Sequence, residues 1–252
     1  MQEFEGRGVL VTGGSRGIGR AACIQFAERG ARVAVHYARN ERAAQEVLDL
    51  LPGDGHVCVA ADLGAGGARR LAADTLDGLG RIDVLVNNAG VYEAHPVLET
   101  DADDWAASWQ RTLATNLIGP ADLIHAVAPH MVDLGGGRIV NVTSRGAFRG
   151  EPRHTAYGAS KAGLNSLSQS LAQELAPHGI YVTVVAPGFV ETDMASAYLD
   201  GPKGAAIKGQ SPLERAASPE EIARVIVFLA TPGAEYTTGA IVDVNGASYL
   251  RN

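Results

Sequence analysis

Tyr157 and Lys161 stand four residues apart in the stretch Tyr157-Gly158-Ala159-Ser160-Lys161. On a helix such a pair shares one face, with Cβ atoms about 5–6 Å apart. An ammonium that close stabilises phenolate over phenol and lowers a tyrosine from its usual pKa of about 10. The phenol can then give or take a proton near neutral pH. Ser144 ends the β-branched run Ile139–Thr143, ahead of Tyr157. A hydroxyl at the carboxyl end of a strand can hydrogen-bond a carbonyl oxygen as charge gathers there. The three side chains suit proton transfer to a carbonyl.

A second cluster lies near the start of the chain. Thr12-Gly13-Gly14-Ser15-Arg16-Gly17-Ile18-Gly19 follows a short apolar run and opens a helical pattern. Glycines at 13, 17 and 19 let the backbone turn sharply, and the helix then aims free N–H groups at a pyrophosphate. Gly13, Ser15, Arg16, Gly17, Ile18 and Gly19 are therefore cofactor candidates. The next apolar run ends in His36-Tyr37-Ala38-Arg39-Asn40, with no carboxylate to repel a ribose 2′-phosphate. Arg16 and Arg39 can reach one with planar, permanently charged donors. Tyr37 and Arg39 join the cofactor set, and NADP(H) is expected rather than NAD.

These residues need a scaffold that presents strand ends along one edge. Short β-branched runs recur at 8–11, 32–35, 56–60, 82–86, 138–142, 181–185 and 240–244. They mostly lack polar alternation, as strands covered on both faces do. Helix-like stretches separate them at 17–29, 40–51, 65–79, 101–117 continuing to about 133, 156–176 and 218–230. The alternation predicts one α/β domain over 1–252: a doubly wound, Rossmann-type, seven-stranded parallel sheet with helices on both faces. Thr100-Asp101-Ala102-Asp103 resembles a capping box, and Ser218-Pro219-Glu220-Glu221 is a full one. The one long irregular stretch, about 187–217, is expected to be a substrate lid.

Composition closes off other classes. The 252 residues include 46% hydrophobic and 19% charged residues, with a net charge of −7 and no basic stripe for nucleic acid. No apolar run approaches the roughly 18 residues of a membrane span. Cys23 and Cys58 suit buried free thiols in a reducing cytoplasm. The seven histidines are scattered, so no metal is expected.

Several motifs in order resemble the short-chain dehydrogenase/reductase family over nearly the whole chain. They are Thr12–Gly19, Asp62-Leu63, Asn87-Asn88-Ala89-Gly90, Asn116, Ser144, Tyr157-x-x-x-Lys161, and Pro187-Gly188 with Thr192. The resemblance implies hydride transfer between the nicotinamide and a ketone or secondary alcohol, with Tyr157 as general acid/base. Ser144 would orient the carbonyl, Lys161 would hold the nicotinamide ribose, and Asn116 would anchor a relay water. Asp62 and Leu63 would flank the adenine. Asn88, Ala89 and Gly90 would line the cofactor path. Pro187, Gly188, Val190 and Thr192 would lie near the nicotinamide. It also implies a homotetramer, with the helices at 101–133 and 156–176 as interfaces.

Three readings of function remain: a reductase of small carbonyl compounds, a 3-oxoacyl-(acyl-carrier-protein) reductase, and a non-catalytic dinucleotide-binding regulator. An acidic carrier protein would dock on basic residues. Residues 112–137 and 162–177 contain no Lys or Arg, which argues mildly against carrier docking. The intact catalytic set argues against a mere regulator. Arg145, Arg149, Arg153 and His154, relieved by Glu151, form a basic cluster that either faces water or a subunit, or recognises an anionic substrate group.

Overall fold

The computed structural model describes residues 3–251. Seven strands form one sheet: β1 Gly8–Val11, β2 Arg32–Tyr37, β3 Val57–Ala60, β4 Val84–Asn87, β5 Gly137–Val142, β6 Ile180–Pro187 and β7 Ile241–Val244. Their order is β3-β2-β1-β4-β5-β6-β7, and every neighbouring pair is parallel. β1, β4 and nearly all of β5 and β6 are buried, as their β-branched composition requires. The expected topology is therefore present.

Helices cover both faces. On one lie α1 Gly17–Ala27, α2 Glu41–Leu48 and α10 Pro219–Ala230, packed around Val9, Val11, Phe26, Val33, Val140, Ile222 and Ile226. On the other lie α3 Ala68–Leu79, α5 Gly119–Asp133 and α7 Thr155–Leu175, packed around Leu10, Leu71, Leu85, Leu123, Ile139 and Val182. Each large aliphatic side chain removed from water contributes roughly 1.5–3 kcal/mol. α4 Ala102–Leu113 runs into α5 through one π-helical turn, Ala114–Ile118, and the short α6 Gly146–Arg149 follows β5.

Two local expectations change. The N-cap of α4 is Asp101, whose carboxylate accepts the Asp103 and Asp104 N–H groups, so Thr100 makes no cap. The Asp101 carboxylate is favoured there as an anion at the positive end of the helix. The Ser218 box forms as read. The stretch 187–217 is also less irregular than expected, since it holds α8 Asp193–Leu199 and α9 Gly204–Lys208. Gly201, Pro202, Gly204 and Gly209 fall at the ends of these short helices, where they terminate rather than prevent them.

Parallel strands place all their carboxyl ends on one edge. β1 and β4 are neighbours, and the chain runs from β1 toward β3 on one side and from β4 toward β7 on the other. The loops after β1 and β4 therefore diverge and leave a crevice between them.

Candidate active site

The crevice is a cleft of about 790 Å³. All the site residues read from the sequence line it except Gly19, Leu63 and Asn116. Gly19 serves close packing: a Cβ there would sit 2.1 Å from the Gly13 carbonyl oxygen. Leu63 turns its side chain into the core. Asn116 lies just behind the wall.

The cradle after β1 follows from its glycines. Gly13 and Gly17 have φ of +63° and +53°, left-handed values that strain any residue with a Cβ. A Cβ on Gly17 would also meet Thr192 Cγ2 at 3.0 Å. Arg16 occupies the N-cap of α1 without a side-chain cap, so the first-turn N–H groups stay free. Asn88 ties the two diverging loops together. Its Nδ2 donates to Thr12 O at 2.9 Å, while the Thr12 hydroxyl accepts the Asn88 and Ala89 N–H groups. Free amides at a helix N-terminus beside a glycine turn fit a pyrophosphate.

His36, which the local sequence does not mark out, also lines the cleft. It is 2% exposed on β2. Its Nδ1 accepts the Gly13 N–H at 3.0 Å, and its Nε2–H donates to Ala61 O at 3.0 Å. Its carbonyl accepts the Gly14 N–H. Only the neutral ring can accept from Gly13. Burial lowers the ring's pKa below the ordinary 6.5, outweighing the Ala61 carbonyl and Asp62, which raise it. Neutral His36 thus holds the cradle at physiological pH, and the hold is lost as pH falls through that lowered value. His36→Leu is expected to weaken NADPH binding about tenfold, the loss of one hydrogen bond to a buried amide. His36→Asn, with Oδ1 in place of Nδ1, should restore it and flatten the acid limb of a fluorescence titration. Equal affinity in the Leu variant would remove His36 from the site.

At the far end of the cleft Tyr37, Arg39 and Asp62 line the wall. Asp62 accepts the Gly64 N–H at 2.9 Å, which fixes its carboxylate at the rim. Arg39 is exposed and forms no ion pair among the described residues. Arg16 reaches Asp193 at 3.7 Å across the mouth, both side chains largely in water. No carboxylate follows β2 before Glu41, the first residue of α2.

The catalytic candidates come together where β5, α7 and the π turn meet. Ser144 follows β5, and its hydroxyl accepts the Gly146 N–H at 3.0 Å. Lys161 donates from Nζ to the Val142 carbonyl at 2.8 Å, and that Nζ lies 5.8 Å from the Tyr157 ring centroid. Asn116 is fully buried in the π turn. Its Oδ1 accepts the Val91 N–H, and its Nδ2 donates to Val91 O and Ser160 Oγ. The extra residue of the π turn aims the Asn116 amide at the β4 loop rather than along the helix. A Cβ on Gly90 would meet Asn116 Oδ1 at 3.3 Å and Lys161 Nζ at 3.6 Å, so all three adjoin.

The expected lowering of Tyr157 does not appear in the protein alone. Burial pushes the phenol up to about 12, against hydrogen bonding to Ser144, which lowers it. Burial likewise brings the Lys161 amine down to about 8. Helical spacing puts the pair on one face, but desolvation opposes either charge and outweighs their attraction here.

The substrate side carries aromatics that local spacing could not reveal. The Tyr92 ring stacks on His154 at 3.8 Å and meets Tyr157 edge-on at 4.7 Å and Tyr198 at 5.6 Å. His154 Nδ1–H donates to Pro152 O, leaving Nε2 to accept the Tyr198 hydroxyl at 2.9 Å. The basic cluster splits in two, Arg145 and Arg149 staying together and Arg153 leaving them. Arg145 and Arg149 both donate to Gln210 Oε1, and Arg153 pairs with Glu99 in water. Arg153 has φ +70°, a strained value for a residue with a Cβ, and its carbonyl accepts the His95 N–H. Trp105 and Trp109 share one helix face and pack with His95.

The chain matches the family model described as enoyl-(acyl carrier protein) reductase over residues 13–247. It is 36% identical to a 3-oxoacyl-(acyl-carrier-protein) reductase FabG of Staphylococcus epidermidis, covering 97% of this chain and 99% of that one. A 3-oxoacyl-(acyl-carrier-protein) reductase of Synechocystis is 39% identical, with 96% of each chain covered. Among solved structures, a short-chain dehydrogenase from Burkholderia cenocepacia in complex with NADP superposes with a TM-score of 0.89 at 32% identity, covering 98% of this chain and 99% of that one. A Brucella melitensis protein titled short-chain dehydrogenase/reductase, glucose/ribitol dehydrogenase, gives 0.89 at 34%, with 99% of each chain covered. The chain belongs to the short-chain dehydrogenase/reductase family and is an oxidoreductase. Among the described residues no helix is long and apolar enough to cross a membrane.

Proposed function

We propose that this enzyme uses NADP(H) to interconvert a ketone and a secondary alcohol, with Tyr157 as the proton carrier. The observation that carries the reading is the convergence of Tyr157, Ser144 and Lys161 in one cleft with a glycine cradle. When bound, the dinucleotide supplies or accepts a hydride at its nicotinamide. Gly13, Ser15, Gly17 and Ile18 would hold the pyrophosphate, with Asn88, Ala89 and Gly90 along the opposite wall. Asp62 and the backbone at Leu63 would flank the adenine. Pro187, Gly188, Val190 and Thr192 would border the nicotinamide.

In reduction, Tyr157 O–H gives its proton to the carbonyl oxygen while the Ser144 hydroxyl donates a hydrogen bond to that same oxygen. Lys161 Nζ stands next to restore the proton, and Asn116 holds the β4 loop against it. A phenol held near 12 by burial is a weak acid for free exchange with water. It gives up its proton when an alkoxide forms beside it, which is the stronger base.

NADP(H) is favoured over NAD(H) by exposed Arg16 and Arg39 at the cleft mouth, where no acidic residue stands between the end of β2 and Glu41. Relatives of similar fold titled with NADP or NADPH support the same choice. Arg39→Ala should weaken NADPH binding by roughly 10-fold and leave NADH binding within about twofold, since only a 2′-phosphate loses a charge-assisted partner. Isothermal titration with both dinucleotides checks this. An equal loss for both would place Arg39 outside the phosphate site.

A 3-oxoacyl-(acyl-carrier-protein) reductase is the second reading, favoured by the names of the curated relatives. Against it stands the absence of Lys and Arg from 112–137 and 162–177, which flank the site. We place the enzyme in the cytoplasm, in keeping with its two free cysteines. It assembles as a homotetramer, for which the exposed Ile118 and Val132 on the α4–α5 rod offer apolar contact. The segment 187–217 acts as its lid: Tyr198 and Gln210 fasten it to the loop after β5.

A further inference from the structure

Glu151 belongs to the loop between Ser144 and Tyr157, and the proton and hydride steps above give its carboxylate no contact with the substrate. Its side chain lines the cleft with Tyr92, Tyr157, Tyr198 and Arg145. Its carboxylate accepts no hydrogen bond and forms no ion pair among the described residues, and the Tyr92 hydroxyl is likewise without a partner there. Room for that carboxylate is built in. A Cβ on Gly146 would sit 2.6 Å from Glu151 Cγ and 2.9 Å from Oε1. Gly146 also donates its N–H to Ser144, so the carboxylate lies against the segment that carries the carbonyl-orienting hydroxyl. The half-buried carboxylate is open to the cleft, so a donor on a bound molecule can take the place of solvent there.

The neighbours decide what that is. Arg145, 3% exposed, puts a fixed cation in the same wall, which disfavours a substrate ammonium. Glu151 itself disfavours a substrate carboxylate or phosphate. Carbonyl groups flanking the reacting carbon, as in a 3-oxoacyl thioester, are acceptors and leave Glu151 unsatisfied. A neutral donor remains. We propose that Glu151 accepts a hydrogen bond from a hydroxyl of the substrate, one or two carbons from the reacting carbonyl. The substrate class is then a hydroxy ketone or the matching diol, with the Tyr92 phenol as second contact. This rests on the reductase reading of the site above.

The experiment compares 2-hydroxyacetophenone with acetophenone, and includes the N-acetylcysteamine thioester of acetoacetate, in NADPH-oxidation assays. The wild-type enzyme should show a kcat/KM for the hydroxy ketone at least about tenfold above that for acetophenone, the effect of a hydrogen bond to a charged acceptor. Glu151→Gln should remove most of that advantage through KM and leave the acetophenone KM unchanged, while the charge it removes from beside Tyr157 changes kcat for both ketones alike. Gly146→Ala, which crowds the carboxylate, should act in the same direction. If Glu151 merely balances the charge of Arg145, the Gln variant will leave the ratio of the two KM values as in the wild type, and the proposal fails. Equal wild-type rates, a preference for the thioester, or no turnover of the hydroxy ketone also overturn it. Turnover that survives Tyr157→Phe would instead overturn the reductase reading, so the two failures are distinct.

Discussion

Tyr157→Phe is expected to lower kcat for ketone reduction by roughly 10²–10⁴, the range spanned by loss of a positioned general acid. The change removes one oxygen. The ring stays wedged against Tyr92, 4.7 Å away, so the cleft keeps its shape. NADPH affinity should stay within about threefold, because no uniform binding contact is removed. Stopped-flow NADPH oxidation beside fluorescence titration separates the two effects. A variant retaining a tenth or more of the rate would assign the proton to another group, and a large loss of NADPH affinity would make the phenol a binding residue instead.

The second large effect joins activity to stability. Lys161→Met should reduce kcat by a similar factor and yet raise the melting temperature. Lys161 is 4% exposed, and burial brings its amine from 10.5 down to about 8. That depression corresponds to roughly 3 kcal/mol of opposition to folding when the amine is charged. Methionine fills nearly the same volume without the charge. The lost hydrogen bond to Val142 O returns about 1 kcal/mol. The net gain of about 2 kcal/mol implies a rise of roughly 4–8 °C for a chain this size. The sign with pH follows from the direction of the shift. The folded value lies below the unfolded one, so the opposition is complete below about pH 8 and fades as pH rises toward 10.5. The gap between variant and wild type should therefore be widest at pH 7 and close at pH 10. Calorimetry at both values checks it; a variant that melts lower at pH 7 would show that the ammonium is well solvated by its surroundings.

Such an outcome follows a general pattern, in which a reactive site is kept at the expense of stability. The same sheet also contains a buried polar group that costs little. Burial raises the Asp83 carboxyl, but hydrogen bonds from Arg81, Arg7 and the Gly8 N–H outweigh it and hold it below the usual carboxylate range. Asp83 has partners at every turn, whereas Lys161 has one carbonyl.

Much of the molecule was legible along the chain because its signals are local. Seven β-branched runs, the glycine turn at 13–19, the Ser218 box and the Tyr157–Lys161 spacing each fit within a few turns of backbone, where period and steric rules act directly. The strand ends and the parallel order followed from them. Other features required contacts across the fold. His36 reads as one more strand residue until its ring is found bonded to an amide 23 positions earlier and a carbonyl 25 positions later. Asn116 was placed in a helix, but only the π turn shows why its amide faces the β4 loop. Tyr92 and His154 lie far apart in sequence and stack face to face.

The chemical types on offer, a phenol, an amine, a hydroxyl and a phosphate-sized glycine turn, were decided by the residues themselves, since covalent structure and helical period suffice to set them. Which charges survive there was decided by the tertiary structure. Burial, not spacing, governs Tyr157 and Lys161, and water is excluded only when α7, β5 and the loop after β4 close around them.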